Sequence, residues 1–250
     1  MKIYSANSFK EIYEKVCELR QTYFKKDEIW FRGQGVSSWS LEPTLFRTDR
    51  GIAREQELFD TYKLLASKIN LERNDEWLTL IDMQHYGIPT RLLDWTIDLG
   101  TALYFAKTSA VKGSPMSLHL MNPRILNEIS KKSDILLLPI NPNDKDKELS
   151  YENLYIKRQP LPATIPLAIK CSGDNARVRA QSGMFTIHGD ESKKDVLMNE
   201  LNDKNGIFKI EISYEAIDSL QEYFDVSGID VFRIFPDIQG ISRHLRDLTT

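Results

Sequence analysis

The sequence predicts an α+β fold, a single domain with a mixed, mainly antiparallel sheet and helices concentrated in its N-terminal half. Helical periodicity dominates residues 8–111, which contain one early strand, whereas short apolar or alternating segments dominate residues 116–235. This order differs from the regular strand–helix alternation of a doubly wound sheet. No segment has the composition of an interdomain linker, so residues 1–250 are treated as one unit.

Four helices and one strand are predicted in the N-terminal half. The first helix begins at a capping box, Ser8-Phe9-Lys10-Glu11, and carries apolar residues at helical spacing as far as Leu19. A short buried strand follows at 29–32. The other helices are predicted at 53–70, 75–85 and 98–111.

The C-terminal half carries the remaining strands. Residues 207–212 alternate cleanly, with Phe208, Ile210 and Ile212 on one side. The other predicted strands lie at 116–121, 164–170, 183–188 and 229–235, and helices are predicted at 214–224 and 237–248. Residues 141–148 are strongly polar and predict a surface loop.

Composition excludes several classes of protein. The 33 Lys and Arg residues against 36 Asp and Glu residues give a net charge of −3, which provides no global attraction for polyanions. Two cysteines, Cys17 and Cys171, cannot form a disulfide framework or a cysteine-rich zinc site. No signal-peptide core or stretch of about 20 apolar residues is present, so we expect a cytoplasmic protein that does not contact membranes.

The common catalytic motifs are also missing from the sequence. There is no Gly-rich phosphate loop and no Gly-x-Ser-x-Gly elbow, and no histidine pair has metal-ligand spacing. Neither cysteine has a histidine beside it in the sequence. These observations disfavour zinc, serine and cysteine hydrolases, and we expect no metal.

One candidate segment is Trp30-Phe31-Arg32-Gly33-Gln34-Gly35. An arginine inside an aromatic strand must be paired, because burial of an isolated guanidinium is costly. Its partner is either an internal carboxylate or a ligand phosphate or carboxylate, which a guanidinium binds in bidentate fashion. The flanking Gly33 and Gly35 would let a ligand approach the backbone closely.

A second candidate segment runs from Gln84 to Thr96 and crowds polar side chains among apolar ones across Gly87 and Pro89. This pattern is typical of a pocket rim. In the structural alternative, Arg91 pairs with Asp94 and His85 caps the preceding helix. A related alternative makes Arg32–Asp94 and Arg91–Asp237 internal ion pairs. The short basic cluster at 177–179 is interpreted as solvated surface.

These two segments resemble the FRG domain family, named for Phe-Arg-Gly. The FRG-Q element matches residues 31–34, and the aromatic-Leu-x-Pro element matches residues 39–43. The long Gln-His-x-Gly-x-Pro-Thr-Arg-Leu-Leu-Asp-Trp-Thr block matches residues 84–96 without a break. Further matches lie at 102–106, 181–186 and 235–240. The resemblance therefore predicts a single FRG-type domain over residues 1–250, with its motif-bearing core at about 29–240.

The resemblance implies a bacterial or phage protein of a toxin or defence system. It also implies an ADP-ribosyltransferase-like fold and activity, with NAD as substrate and cleavage of the nicotinamide–ribose bond. The implied catalytic residues are Arg32, His85, Asp94 and Asp237, with Glu211 behind them, because no late-strand Glu-x-Glu is present. The implied NAD-binding residues are Arg32, Gln34, Tyr86, Thr90, Arg91, Tyr104 and Gln181.

Binding without catalysis is the alternative function. The same residues would then hold a nucleotide or nucleic acid as a non-catalytic module of a defence or regulatory system. In the enzymatic interpretation, the acceptor of ADP-ribose is a nucleic acid or a protein. An antitoxin or a phage protein is a further expected partner.

Overall fold

In the part of the chain that the structure describes, seven strands form one continuous sheet. The computed structural model describes residues 1–48, 50–69, 75–131, 151–157, 166–170, 175–189 and 194–247. The strands are β1 (Lys2–Ala6), β2 (Trp30–Gln34), β3 (Leu92–Thr96), β4 (Met116–Met121), β5 (Leu167–Lys170), β6 (Gly183–Ile187) and β7 (Ile207–Ile212). Their order in the sheet is β1-β7-β4-β2-β3-β6-β5. β1 and β7 are parallel, and the other neighbouring strands are antiparallel. The predicted α+β class with a mixed, mainly antiparallel sheet is confirmed.

Helices flank both faces of this sheet. They are α1 (Phe9–Leu19), α2 (Glu55–Ser67), α3 (Glu76–His85), α4 (Leu99–Thr108), α5 (Pro123–Lys131), α6 (Ala176–Ala180), α7 (Lys194–Asp203), α8 (Ile217–Ser227), α9 (Val231–Ile234) and α10 (Ile238–Asp247). The Ser8 side chain caps α1 as the capping box predicts, accepting a hydrogen bond from the Glu11 backbone N–H. No helix in the described ranges is long and apolar enough to cross a membrane.

The clean alternation in β7 identifies the main core face. Phe208, Ile210 and Ile212 are fully buried, and they pack with α1, α4 and α8 in the largest apolar cluster. On the opposite face, smaller apolar clusters form around Trp30 and around Trp77. The sheet is therefore buried on both faces, which fixes the strands that carry the candidate site.

The ladder between β2 and β3 consists of one residue pair, Phe31 opposite Thr96. By contrast, β2 pairs with β4 along five residues, and β3 pairs with β6 along five residues. Beyond Phe31, the facing edges of β2 and β3 make no further ladder pairs. The sheet is consequently split at its middle, between the two strands that carry the predicted site residues.

Helix α4 packs directly on β2 through two glycines. A Cβ at Gly33 would lie 1.8 Å from the backbone oxygen of Ala102, and one at Gly35 would lie 1.8 Å from that of Ser109. The glycines were expected to admit a ligand. The structure shows instead that Gly33 and Gly35 admit the backbone of a helix.

Several predicted elements need correction. The strand predicted at 229–235 is wrong, since Asp230 caps the short helix α9 there by accepting a hydrogen bond from the Arg233 backbone N–H. Of the strand predicted at 164–170, residues 167–170 are extended. The polar segment 141–148 lies outside the described residues. Elements that the sequence patterns did not predict are β1, β3, α5, α6 and α7.

Candidate functional site

A cavity of about 560 Å³ lies in the split between β2 and β3. This volume is within the range of small-molecule and cofactor sites, roughly 300–1,000 Å³. Residues from β2, β3, β6, α3, α4 and α6, together with residues between these elements, form its wall. They include Arg32, Gln34, Trp39, Arg47, Gln84, His85, Asp94, Trp95, Thr101, Phe105, Arg177, Gln181, Phe185 and Phe235. Arg32 therefore faces the same cavity as His85 and Asp94, which lie more than 50 positions further along the sequence.

Arg32 occupies the split itself. Its Nη1 donates a hydrogen bond of 2.6 Å to the backbone oxygen of Asp94, and the Asp94 Oδ2 lies 3.8 Å from the same nitrogen. Burial lowers the pKa of the guanidinium from its ordinary value, the nearby Arg47 lowers it further, and Asp94 opposes both effects. Arginine side chains keep their proton in proteins, so Arg32 is a cation at this cavity. Two neighbouring guanidinium groups at a cavity favour an anionic ligand.

Asp94 is held by a short chain of hydrogen bonds from α3. Gln84 Nε2 donates to the Asp94 carboxylate at 2.9 Å, and Gln84 Oε1 accepts a hydrogen bond from the Thr90 hydroxyl. The Thr90 Oγ1 in turn accepts from the Leu92 backbone N–H. The Asp94 side chain is 56% exposed, so its carboxylate is oriented and remains accessible to a ligand. The amide of Gln84 and the hydroxyl of Thr90 thus serve to place this carboxylate.

His85 forms the opposite wall with the ends of α6 and α10. Its Nδ1 lies 2.8 Å from Asn175 Nδ2, and its Nε2 lies 3.6 Å from Asp237 Oδ2. Arg177 Nη2 donates to the same Asp237 oxygen at 2.6 Å. Burial and the charge of Arg177 lower the pKa of His85, against the opposing effects of Asn175 and of the Asp237 and Asp82 carboxylates. His85 is consequently neutral at pH 7.

His119 on β4 lies directly opposite Arg32 in the sheet register and is fully buried. Burial, Lys209 and Arg32 together lower its pKa to about 3. The unfolded chain takes up a proton at His119 below about pH 6.5, whereas the folded protein does so only near pH 3. The stability contributed by His119 is therefore complete above pH 6.5 and is lost as the pH falls towards 3.

A pH prediction follows for the His119→Gln variant. The free energy of unfolding of the wild-type protein should decline more steeply with acidification than that of the variant, by about 1.4 kcal/mol per pH unit in this window. Urea unfolding of both proteins at several pH values between 3 and 6.5 measures the difference. Parallel curves would show that His119 is not held neutral in the folded state.

A family model of the FRG domain matches residues 27–114. This stretch of the chain is similar to FRG domains. This match contains β2, α3, β3 and α4, which form most of the cavity wall. No curated protein and no solved structure matches the chain. The FRG motifs thus converge on one cavity, while α6 and Phe235 complete it from beyond the matched range.

Some residues that the FRG resemblance implicated do not line this cavity in the described part of the chain. They are Tyr86, Thr90, Arg91, Tyr104 and Asp237. Tyr86 is half exposed beside the His85 ring, and Tyr104 packs against Phe105 and Phe224. Glu211 accepts a hydrogen bond from the Ser37 hydroxyl and lines a separate depression, away from the cavity of the FRG motifs.

Arg91 belongs to a buried ion pair outside the cavity. Its Nε and Nη2 donate to the two carboxylate oxygens of Glu55 at 2.5 and 2.6 Å, and the Tyr151 hydroxyl donates to Glu55 at 2.6 Å. Its Nη1 donates to the backbone oxygens of His188 and Gly189. The alternatives that paired Arg91 with Asp94 or with Asp237 are both wrong. His85 does not cap α3 but contacts Asn175, so that alternative is wrong as well.

The sequence motifs missed several residues of the cavity wall. Arg177 was interpreted as solvated surface, yet its side chain is only 12% exposed and binds Asp237 and the backbone oxygen of His85. Arg47 also lines the cavity, as do Phe185 and Phe235, which lie within the motif matches at 181–186 and 235–240 but were not predicted as site residues. The pairing of Arg177 with the closing Phe-Pro-Asp motif has no local sequence signal, because the two residues are 60 positions apart. Within the described residues, no cluster of His, Cys, Asp and Glu has metal-binding geometry.

Proposed function

We propose that the cavity of the FRG domain binds NAD and cleaves its nicotinamide–ribose bond, as an ADP-ribosyltransferase-like enzyme. The observation that carries this proposal is the position of the buried Arg32 guanidinium beside the accessible Asp94 carboxylate in one cavity of about 560 Å³. A dinucleotide requires a cationic site for its pyrophosphate and aromatic surfaces for its rings. Both are present in this cavity.

Arg32 and Arg47 would bind the pyrophosphate. The guanidinium of Arg32 donates one Nη1 hydrogen bond to Asp94, which leaves the Nη2 side for ligand oxygens. The charge of Arg47 acts on Arg32 and lowers its pKa, so an anion between them would relieve their mutual repulsion. Gln34 and Gln181 supply further polar groups in the wall.

The aromatic side chains of the wall would hold the rings of NAD. Trp39, which is 49% exposed, stands at the cavity together with Trp95, Phe105, Phe185 and Phe235. Planar rings prefer offset-stacked or edge-on contacts with such side chains. A wall that is apolar with a few convergent polar groups is typical of cofactor and nucleotide sites.

Asp94 would stabilise the reacting sugar. When the bond between the anomeric carbon and the nicotinamide nitrogen breaks, its electron pair neutralises the pyridinium, and neutral nicotinamide leaves. Positive charge then develops on the ribose, and a carboxylate fixed nearby lowers the energy of this state. A hydroxyl, an amine or water adds to the anomeric carbon and loses a proton. This chemistry needs no metal.

We propose a nucleic acid or a protein as the acceptor, in a toxin or defence system acting in the cytoplasm, as the FRG resemblance implies. An antitoxin or phage protein that controls the activity is part of the same proposal. The second candidate is nucleotide binding without catalysis. It is favoured by the engagement of the Asp94 carboxylate by both Gln84 and Arg32.

Nicotinamide release from NAD tests the proposal. We expect turnover by the wild-type protein, and a loss of about 10²–10³-fold in kcat for Asp94→Asn with NAD binding retained. Arg32→Gln should lose turnover and binding together. Arg54→Gln, which alters an exposed arginine paired with Glu57, is the matched control and should stay within about twofold of wild type.

Thermal denaturation with NAD or ADP-ribose separates the two candidates. A ligand-induced rise in Tm without nicotinamide release, alone or with RNA, DNA or cell lysate, would support the binding module and reject the enzyme. A wild-type protein that neither binds nor cleaves NAD would reject the enzyme, and the absence of any rise in Tm with ADP-ribose, RNA or DNA as well would reject the binding module.

A further inference from the structure

Four buried polar atoms beside the cavity have no hydrogen-bond partner among the described residues. They are Arg32 Nε and Gln34 Oε1 on β2, and His119 Nδ1 and Ser117 Oγ on β4. An unpaired buried donor or acceptor costs roughly 1–3 kcal/mol, so four such atoms in one place require an explanation.

These atoms are arranged as two complementary pairs. Arg32 lies directly opposite His119, and Gln34 lies directly opposite Ser117. Residues directly opposite in an antiparallel ladder project from the same face, with Cβ atoms about 4.5–5.5 Å apart. In each pair one side chain offers a donor and the other an acceptor, namely Arg32 Nε–H towards His119 Nδ1 and the Ser117 hydroxyl towards Gln34 Oε1.

The surroundings favour this pairing. This face of the sheet is apolar at Trp30, Met121 and Ile207, and it becomes polar at the two rows that contain the pairs. Lys209 continues the first row on β7, and its Nζ donates to the backbone oxygen of Ser37. With a cation on each side, His119 remains neutral, and its Nδ1 is then available as an acceptor.

We propose that β4 positions the FRG-Q motif: one buried water accepts a hydrogen bond from Arg32 Nε–H and donates one to His119 Nδ1, and Ser117 likewise supports Gln34. The bridged contact of Nε–H with His119 and the Nη1 bond to the Asp94 backbone oxygen would fix two edges of the guanidinium. The remaining edge, Nη2, is thereby aimed at the cavity. His119 and Ser117 are positioning residues, and both lie beyond the range that the FRG model matches.

The proposal depends on the proposed function only for the identity of the ligand, so its first test uses the ligand-free protein. In NMR spectra with isotope-labelled arginine and histidine, the Arg32 Nε–H signal, assigned with Arg32→Lys, should exchange slowly with water. His119 should carry its proton on Nε2 and not on Nδ1. An Arg32 Nε–H that exchanges as fast as that of exposed Arg54, or a protonated Nδ1, would overturn the proposal.

Binding of inorganic pyrophosphate, measured by calorimetry, is the second test. The His119→Phe variant removes the acceptor and should weaken binding about tenfold, whereas His119→Gln provides an amide oxygen and should restore it to within about threefold. His244→Phe on α10 is the matched control and should bind as the wild type does. Equal weakening in the Phe and Gln variants would reject the positioning role.

The outcomes also separate this proposal from the proposed function. If the wild-type protein does not bind pyrophosphate, the NAD proposal fails, while the NMR signals still decide the pairing of Arg32 with His119. If His119→Phe does not fold, the proposal is tested by the tautomer of His119 in the wild-type protein and by pyrophosphate binding to the His119→Gln variant.

Discussion

Replacement of Glu55 by alanine should lower the free energy of unfolding by about 3–5 kcal/mol. The substitution leaves the buried Arg91 guanidinium without its bidentate carboxylate and removes the acceptor of the Tyr151 hydroxyl. Both side chains of the ion pair are less than 8% exposed, so water cannot take the place of the lost partner. Urea denaturation followed by tryptophan fluorescence measures the effect.

Glu57→Ala is the matched control for this prediction. Glu57 lies on the same helix and also pairs with an arginine, but both side chains of the Arg54–Glu57 pair are about 60% exposed. An exposed ion pair contributes about 0–1 kcal/mol, so this variant should unfold close to the wild-type midpoint. Similar losses in the two variants would mean that burial of the Glu55–Arg91 pair is not what makes it important.

Gly33→Ala should destabilise the protein by more than about 3 kcal/mol or prevent it from folding. The added Cβ would lie 1.8 Å from the Ala102 oxygen and 2.9 Å from the Ala106 nitrogen, and both are backbone atoms of α4. A helix backbone cannot rotate out of the way as a side chain does, so α4 must move away from β2. Because α4 also forms part of the cavity wall, ligand binding should be lost with stability.

Gly183→Ala provides the comparison within the same sheet. A Cβ at this strand position would approach Val178 at 3.3 Å, which small side-chain adjustments can relieve. We expect a change of less than about 1 kcal/mol in the free energy of unfolding. A Gly33→Ala protein as stable as Gly183→Ala would show that α4 does not sit against β2 as described.

The long-range organisation of the fold is where sequence reasoning was weakest. The alternation in β7 and the capping box at Ser8 predicted their elements correctly, because both signals are local. β3 was overlooked because its residues Leu92–Thr96 lie in a segment crowded with polar motif residues. β1 is an edge strand whose side chains are mostly exposed, so it carries no apolar pattern. The segment at 229–235 has strand-like composition, but the Asp230 side chain caps a helix there and stabilises it.

The sequence motifs predicted which segments form the candidate site, but not which side chains pair with one another. The FRG-Q segment and the Gln84–Thr96 block identified two segments that border the cavity, although the strand β3 within the second was not predicted. The partner of each arginine could not be read from the sequence, since Arg91 finds Glu55 at 36 positions and Arg177 finds Asp237 at 60 positions. Such pairings depend on how distant elements pack, which no local pattern encodes.

The single rung between β2 and β3 has a mechanical consequence. Within the half-sheet β1-β7-β4-β2 and within the half-sheet β3-β6-β5, neighbouring strands pair along most of their length. Between the two half-sheets, the strand ladder contains only the pair Phe31 and Thr96. A molecule that binds both Arg32 and Asp94 would connect the two half-sheets. Occupancy of the cavity would then raise the resistance of the sheet to being pulled apart at its weakest line.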